Sequence, residues 1–318
     1  MAIATFVLKR LGGMAAILLV VGLLVFSLLA MSPGSLVNTL LGDQPQSPEA
    51  IEAVEARYHL NDPFMTQYWY WLKAALGGDF GASIQSGERV TTVIATQLPV
   101  TVQLALFVLV LVVVFGITTG MAAGLRQGTV FDRVVSGATV LGMSVPGFAV
   151  GILMIYVFGV RLSWFPVYGA GDGGFASRLA HLTLPAVTLA TGLIALIMRQ
   201  TRAAVLNVME QDYVTFARAR GLSRRRIMVR YALRNTALPV ITASGLLLIA
   251  AISGAALVES VFSLPGVGSL MVRSVNAKDV PVVQGLAFFL ALVVVVVNLL
   301  VDVVALVIDP RTRTAAKG

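Results

Sequence analysis

The chain has 318 residues, of which 58% are hydrophobic and only 12% are charged, whereas about 25% charge is usual in soluble domains. It contains no cysteine, so disulfides and cysteine-ligated metals are excluded. The net charge of +8 comes from 23 basic and 15 acidic residues. Where these charges lie along the chain decides between a nucleic acid and a membrane as the partner.

Six apolar stretches predict an all-α integral membrane protein with one membrane domain over residues 1–318. Each stretch can cross about 30 Å of hydrocarbon at about 1.5 Å per residue, the fourth barely. The first resembles a signal peptide, but its apolar run is long and lacks a clear cleavage site, so we expect a retained anchor. The predicted spans are residues 11–31, 98–125, 134–160, 182–198, 237–258 and 284–308.

The distribution of charge predicts the orientation of these spans. With the amino terminus inside, sixteen basic and four acidic residues are cytoplasmic, whereas seven basic and ten acidic residues lie outside. Cytoplasmic loops carry an excess of lysine and arginine in membrane proteins. Both termini are therefore predicted to be cytoplasmic, and the positive charge is explained by topology rather than by nucleic-acid binding.

The connection over residues 32–97 is predicted to lie outside and to carry structure of its own. Ser47 can cap a short helix to about Arg57, with Pro48 in its first turn. An aromatic cluster, Tyr68 to Trp71, follows. Such amphipathic rings suit the headgroup level of a bilayer or the surface of a partner.

Glycines predict where helices pack closely. Gly116, Gly120 and Gly124 recur every four residues on one face of the second span, which is expected to lie against another helix. Gly147 and Gly151 repeat the spacing on the third span. Pro146 precedes them and lacks an amide hydrogen, so it predicts a kink, with the lining of a transport pathway as the alternative role.

Chemistry-bearing residues are sparse. His59 and His181 stand alone without metal-ligand spacing, and no nucleotide-binding loop of the Gly-x4-Gly-Lys-Ser/Thr type occurs, so we expect no catalytic, cofactor or metal site in this chain. Asp302, with Asn298 one turn away, is the one acid well inside a span. An intramembrane acid suggests a role in transport, although its place near a span end also suits a structural role.

The cytoplasmic connection at 199–236 is the most organised loop in the sequence. Its period predicts a helix carrying Tyr213, Phe216, Ala217 and Arg220, with Glu210 and Asp212 near the positive amino end. A turn and a second helix should follow. Gly221 can stop the first helix, Leu222 can pack back onto its last turn, and Ser223 can cap the next helix.

Three arginines, Arg224 to Arg226, begin this second helix where the helix dipole is already positive. An anion is therefore expected beside them. Lipid phosphates are one source, because basic segments next to spans are attracted to anionic leaflets. Carboxylates of a docked protein are the other.

At this loop the sequence resembles the "EAA" signature of permease subunits in binding-protein-dependent ABC importers. The resemblance rests on Ala217, Ala219, Gly221 and Pro239, and "DYVTFARARGLS" is close to the dipeptide, oligopeptide and nickel branch. Phe216 and Tyr231 depart from residues common in that branch. Further stretches resemble its B-type subunit in the same order: "GGDFGAS", "LPVTVQLAL", "HLTLPAVTLA", "ESVFSLPGVGSL", "DVPVVQG" and "DPRTR".

The resemblance implies a type I ABC importer permease fold in a bacterial inner membrane. It implies half of a translocation pathway for peptides, with a C-type permease as the second subunit, two ATPase subunits that bind ATP and Mg, and an extracytoplasmic solute-binding protein. The coupling contacts would come from Glu210 to Leu222, with Ala217 and Ala219 allowing close seating and Arg218 and Arg220 meeting acidic groups. Candidate pathway residues are Pro146, Glu259, Pro265, Gly266, Asn298 and Asp302.

Three alternatives stay open from the sequence. Nickel or another small solute of the same branch is an alternative substrate to peptides. A membrane-embedded lipid transferase would need metal-binding acids, for which Asp132, Glu210 and Asp212 are the loop candidates. A noncatalytic assembly scaffold is the third, and its removal would leave substrate uptake intact.

Overall fold

A computed structural model describes residues 2–30, 37, 41, 47–227 and 234–308. Over these residues the protein is helical, with one isolated bridge between Ala82 and Arg89, so the all-α prediction is confirmed there. The helices are Ala2–Ala30, Pro48–Tyr58, Phe64–Leu76, Val90–Leu111, Thr118–Leu125, Val130–Ser144, Gly147–Met154, Phe175–Met209, Asp212–Ala219, Arg224–Ile227, Arg234–Val261, Val267–Asn276 and Val280–Ile308, with π-helices at Val112–Ile117 and Ile155–Arg161.

Among the described residues, four helices are long and apolar enough to span a membrane: Arg10–Ser27, Val90–Leu125, Phe175–Met209 and Val280–Val304. A fifth candidate is the bent pair, Val130–Ser144 with Gly147–Arg161, whose two arms differ in direction by 100°. The shorter apolar segment Ile249–Val261 lies in the region of the fifth predicted span. The count of six spans therefore stays a prediction.

The third predicted span is interrupted near Pro146. The predicted kink is confirmed, because the helix stops at Ser144 and restarts at Gly147. The crossing over 134–160 stays a prediction. Val145 adopts an extended conformation (φ −82°, ψ 126°). Proline disfavours helical geometry in the preceding residue, which explains the break.

The described residues form two compact units. Unit 1 comprises residues within 1–99 and 266–296, and unit 2 comprises residues within 100–265 and 297–308. The two parts of unit 1, and likewise those of unit 2, are distant in the sequence. The interior of each unit is described separately below.

Unit 1 is built around aromatic side chains. The short helix Pro48–Tyr58 is capped as predicted, since the Ser47 hydroxyl accepts a hydrogen bond from the Ala50 amide at 3.2 Å. In the next helix the Tyr68 hydroxyl donates to the Leu19 carbonyl at 2.8 Å. Burial raises the pKa of this hydroxyl. One of the buried apolar clusters in this unit consists of Phe26, Tyr68, Leu72, Ala75 and Phe288, so Tyr68 belongs to the core while Trp69 and Tyr70 stay exposed.

Unit 1 also contains a buried carboxylate that holds a turn. Asp279 accepts a hydrogen bond from the Ser83 hydroxyl at 2.5 Å and from the amides of Ile84 and Gln85 at 3.2 and 3.4 Å. The Ser83 hydroxyl in turn accepts from the Ser86 amide at 3.0 Å. We call this set the Asp279 clasp. It fixes the segment that contains the "GGDFGAS" stretch.

Unit 2 is organised around the long helix, Phe175–Met209. At about 1.5 Å per residue this helix is about 50 Å long, well beyond about 30 Å of hydrocarbon. Its apolar core with neighbouring helices includes Leu104, Val108, Ile197, Leu247 and Phe262. The fourth span predicted at 182–198 is thus part of a much longer helix.

The predicted glycine face packs against the long helix. A Cβ added at Gly116, Gly120 or Gly124 would lie 2.7 Å from Ile197, 2.6 Å from the Met198 carbonyl oxygen or 2.9 Å from Val205, respectively. No side chain fits at such distances without a shift. The prediction of close packing is confirmed for these glycines and for Gly151, whereas Gly147 has nothing within 4 Å.

Candidate functional site

The predicted coupling loop follows the C-terminal end of the long helix. This helix ends at Met209, and Glu210 occupies its C-terminal cap (φ −88°, ψ −8°). The next helix, Asp212–Ala219, begins two residues later, with Asp212 in its first turn. Glu210 therefore caps the long helix and lies two residues before the next helix, near whose amino end the sequence predicts it. We call Asp212–Ala219 the loop helix.

The inner face of the loop helix packs against the end of the long helix. Val214 and Ala217 are buried with Ile227, and Val208, Met209 and Leu222 pack around them. Ala217 is 3% exposed, so it is unavailable for the contact with an ATPase that the resemblance implied. Its small size instead lets the loop helix approach its neighbours within this chain, because a larger side chain would not fit the buried cluster.

The outer face of the loop helix combines aromatic and basic side chains. Phe216 is 69% exposed and Tyr213 is 40% exposed. Arg218, Ala219 and Arg220 are exposed as well. The loop helix therefore has two apolar surfaces. One is buried within this chain, and the other, which carries the phenylalanine, is available to another protein.

The predicted helix, turn and helix are confirmed over the described residues. Gly221 has φ +73°, a left-handed conformation that glycine adopts at little cost. The Gly221 amide donates to the Arg218 carbonyl at 2.9 Å, and the Leu222 amide donates to the Ala217 carbonyl at 3.2 Å. Ser223 then caps Arg224–Ile227 by accepting from the Arg226 amide at 3.4 Å. Residues 228–233, including Tyr231, lie outside the described residues.

An ion pair ties the long helix to the bent pair near this loop. Arg202 donates from Nε and Nη2 to the two carboxylate oxygens of Asp132, at 2.5 and 2.9 Å. Asp132 also accepts from the Gly128 amide at 3.0 Å. This acid, which the transferase alternative needed for metal, therefore serves as a structural anion. Among the described residues, no three His, Asp or Glu side chains converge as a metal site would require.

The candidate pathway residues in unit 2 occupy different environments. Pro146 lies at the exposed break of the bent pair. Glu259 is 0% exposed and accepts a hydrogen bond from the Thr101 hydroxyl at 2.6 Å, so it joins two helices inside the unit, and its pathway role stays a prediction. Asn298 and Asp302 are half-buried on Val280–Ile308, and their transport role stays a prediction.

The candidate pathway residues Pro265 and Gly266 lie at the start of a helix. Pro265 is exposed, and Gly266 is the N-cap of Val267–Asn276. The Gly266 amide donates to the Ser269 hydroxyl at 3.2 Å. Their pathway role stays a prediction.

The two histidines have ordinary partners. His59 stacks on Tyr70 with ring centroids 4.2 Å apart and has Nδ1 3.5 Å from an Asp62 oxygen. His181 Nδ1 lies 2.8 Å from the Ser177 carbonyl oxygen.

Sequence reasoning missed two buried hydroxyls on the long helix. Thr188 and Thr201 are 2% and 0% exposed, and neither hydroxyl oxygen has a hydrogen-bond partner among the described residues. A threonine in a helix normally bonds the carbonyl four residues before it, so no sequence signal singles out these two. Their three-dimensional surroundings distinguish them.

Comparison with known proteins places the chain among membrane transport components. The model described as "Binding-protein-dependent transport system inner membrane component" matches residues 116–314, and that described as "Binding-prot-dependent transport system membrane comp, N-term" matches residues 3–105. The chain is 36% identical over 317 residues to the dipeptide transport system permease protein DppB of Bacillus subtilis. The alignment covers 99% of this chain and 100% of the relative.

Other relatives agree with this match. The probable peptide ABC transporter permease protein y4tP of Sinorhizobium fredii is 34% identical, over 97% of this chain and 99% of the relative. A putative peptide transport system permease protein of Brucella abortus is 37% identical, over 96% and 98%. A solved chain of the MetNI methionine ABC transporter, in an inward-facing conformation, matches with a TM-score of 0.55 at 16% identity, covering 68% of this chain and 96% of that chain. This last likeness concerns the fold alone.

Proposed function

Because this chain belongs to the family of binding-protein-dependent transport system inner membrane components, we propose that it forms half of the translocation pathway in an ATP-driven importer of peptides. The family and the type I ABC importer permease fold agree with the predictions from sequence. The chain is a noncatalytic, multi-pass inner membrane subunit. Its proposed partners are a C-type permease, two ATPase subunits that bind ATP and Mg, and an extracytoplasmic binding protein.

The exposed side chain of Phe216 is the observation that carries the coupling part of this proposal. Val214 and Ala217 of the loop helix are buried in this chain, but Phe216 lies outside that cluster with 69% of its surface exposed. Burying a phenylalanine on a partner stabilises a complex by about 1.5–3 kcal/mol. A groove in an ATPase subunit that accepts Phe216 would therefore hold the loop helix.

Basic side chains around Phe216 set the expected charge of that groove. Arg218 and Arg220 are exposed on the same short helix and its C-cap. Carboxylates on the ATPase would pair with them and speed association, because complementary charge acts on encounter rates as well as on specificity. The family resemblance supports this arrangement.

The inner contacts of the loop helix provide a route for force. Val214 and Ala217 pack with Ile227 and the end of the long helix, so the loop helix moves together with that end. The long helix in turn packs closely on the glycines of Val90–Leu125 and pairs with Asp132. Closure of the ATPase subunits on nucleotide would pull the loop helix and shift the unit between two global states.

Peptides are the proposed substrates because relatives matched over nearly their whole length carry peptide transport names. The solute-binding protein would deliver the peptide from outside. In this orientation both termini, and the connection over 199–236, lie in the cytoplasm. Residues 309–318, which include the "DPRTR" stretch, lie outside the described residues.

The test is to isolate the complex from its native membrane and compare a Phe216→Ser variant with the wild type. The variant should reach the membrane in normal amounts but lose at least tenfold in copurifying ATPase and in ATP-dependent dipeptide uptake. A matched control is Phe175→Ser, which removes an 83% exposed phenylalanine at the opposite end of the long helix. The control should behave as wild type.

Two results would oppose the proposal. Normal ATPase association and uptake in the Phe216→Ser variant would exclude the loop helix as the coupling contact. Uptake of nickel or another small solute by the wild-type complex, with no uptake of dipeptides or longer peptides, would exclude the peptide assignment and leave the coupling assignment in place.

A further inference from the structure

A cavity of about 290 Å³ lies in unit 2 at the break of the bent pair. Its walls come from both arms of the bent pair, from the long helix and from Arg234–Val261. We call it the break cavity. Among its lining residues are Gly142, Gly147, Thr188, Gly192 and Gly254. It is open at one side, since Met143, Phe148 and Leu257 line it and are about half-exposed.

The first polar group in this cavity is the hydroxyl of Thr188. The side chain is 2% exposed, and its oxygen has no hydrogen-bond partner among the described residues. Leaving a buried hydroxyl without a partner costs about 1–3 kcal/mol. Most buried polar side chains in native proteins are hydrogen-bonded, so this one calls for an explanation.

The second polar group is the carbonyl oxygen of Gly142. In a continuous helix it would accept from the amide four residues later, but that residue is Pro146, which has no amide hydrogen. The oxygen faces the long helix, because a Cβ added at Gly192 would lie 3.6 Å from it. The break therefore leaves a carbonyl acceptor on the same cavity that contains the Thr188 hydroxyl.

The remaining lining is uncharged. No Asp, Glu, Lys, Arg or His lines the cavity, and the other side chains are apolar except for Thr191, whose hydroxyl already donates to the Val187 carbonyl at 2.7 Å. Open space lies beside Gly147, since a Cβ added there would meet nothing within 4 Å. Glycine at position 192 likewise adds no side chain to the cavity. An occupant of this site has to be neutral, partly apolar, and able to donate and accept hydrogen bonds.

We propose that the break cavity binds a neutral amide group of the transported peptide. The amide oxygen would accept from the Thr188 hydroxyl, and the amide hydrogen would be donated to the Gly142 carbonyl. This inference rests on the proposed function, because it assigns a peptide-binding subsite within the translocation pathway. The charged ends of a peptide find no partner in the cavity, so the subsite reads the peptide bond rather than the termini.

A lipid chain fits the same lining less well. An acyl chain would fill the apolar part but leave both polar groups without partners, and in hydrocarbon each such group is costly. An amide satisfies both groups at once. The apolar walls then accommodate the side chain of the peptide and account for tolerance of different sequences.

The first test compares Thr188→Val with Thr201→Val in the isolated transport complex. Both substitutions replace a buried, unpartnered hydroxyl on the long helix by a methyl group of similar size, but Thr201 does not line the cavity. Neither change should lower thermal stability, because no hydrogen bond is lost. Thr188→Val should raise the KM for uptake of a longer peptide, which has internal amides away from its charged ends, about tenfold without changing kcat, whereas Thr201→Val should leave both constants unchanged.

The second test reads occupancy without transport. The chain has no native cysteine, so a Gly147→Cys variant places one thiol on the cavity wall. N-acetyl-alanine N-methylamide, a capped and uncharged amide, should slow maleimide labelling of this thiol at least threefold. The protection should be lost when Thr188→Val is added and kept when Thr201→Val is added.

The outcomes separate this inference from the proposed function. Unchanged KM in Thr188→Val, an equal rise in both threonine variants, or no amide protection of the thiol would overturn the subsite. Labelling that responds to the acyl chain length of the surrounding lipid but not to the amide would do the same, and would assign the cavity to lipid. Amide protection of the Gly147→Cys thiol, combined with a wild-type complex that imports no peptide, would retain the amide site and reject peptide import.

Discussion

Arg202 and Asp132 form a two-point ion pair, with the guanidinium Nε and Nη2 at 2.5 and 2.9 Å from the two carboxylate oxygens. The pair joins the long helix to the first arm of the bent pair. Asp132 is buried, whereas the Arg202 side chain is 29% exposed. The two helices therefore share one charged link close to the start of the coupling loop.

Loss of this pair should destabilise unit 2. An Arg202→Gln change leaves a buried carboxylate without its cation, at a cost of about 2 kcal/mol, less than for a fully buried pair because Arg202 is partly exposed. The midpoint of thermal unfolding of the purified complex should fall by several degrees. Arg199→Gln, at an exposed position on the same helix, is the control. Equal unfolding midpoints in the two variants would show that the ion pair does not stabilise unit 2.

Close packing of the second span should depend most on Gly120. In a Gly120→Ala variant the new methyl group meets the Met198 carbonyl oxygen at 2.6 Å, and backbone cannot rotate away as a side chain can. Overpacking of this kind costs about 1–3 kcal/mol. The yield and thermal midpoint of the folded complex should both fall.

The matched change for that packing test is Gly137→Ala, since nothing lies within 4 Å of a Cβ at this helical position. It should be neutral or slightly stabilising, because alanine favours helix more than glycine does. Similar losses in both variants would mean that helix propensity or membrane insertion, rather than contact with the long helix, controls stability.

The turn after the loop helix should show a graded response at position 221. Gly221 has φ +73° and open space around it, so a substitution acts through backbone strain alone. Asparagine tolerates this conformation, whereas a β-branched residue does not, with a penalty of about 1–2 kcal/mol. Uptake rates should follow the order wild type, Gly221→Asn, Gly221→Val, and identical rates in all three would show that the turn does not position the loop helix.

The Asp279 clasp should protect its turn from proteolysis. Asp279→Asn removes one acceptor oxygen and points amide hydrogens towards the donors of Ser83 and Gln85. Arg89 is already exposed beside the turn, and a loosened turn should let its backbone enter the protease active site, so limited trypsin digestion at this site should become at least fivefold faster. Asp62→Asn changes an exposed carboxylate in the same unit and should leave the rate unchanged; a rate equally unchanged in Asp279→Asn would contradict the clasp.

Much of this architecture could be predicted from the sequence because its signals are local or periodic. The glycines at 116, 120 and 124 predict a close contact whatever the partner, and the long helix supplies it. Ser47, Gly221 and Ser223 predict helix ends because their chemistry acts on adjacent backbone groups. The family resemblance covered nearly the whole chain, and the relatives agree with it.

Other features depend on contacts between distant residues and were not predictable. A period of 3.6 residues groups Ala217 with Phe216 on one arc, but only the packing against Ile227 decides which of the two is buried. A 100° bend and two π-helical segments have no distinct sequence signal beyond Pro146. The Asp279 clasp joins residues almost two hundred positions apart.

The central claim is that the loop helix is a cytoplasmic contact for the ATPase subunits, and labelling of a Thr215→Cys variant, at an exposed position that leaves Phe216 in place, tests it most directly. The cysteine-free chain supplies a clean background. A membrane-impermeant maleimide should label this thiol in inside-out vesicles but not in intact cells, and added ATPase subunits should block the reaction. Labelling from the outside of intact cells, or labelling unaffected by bound ATPase, would contradict the account.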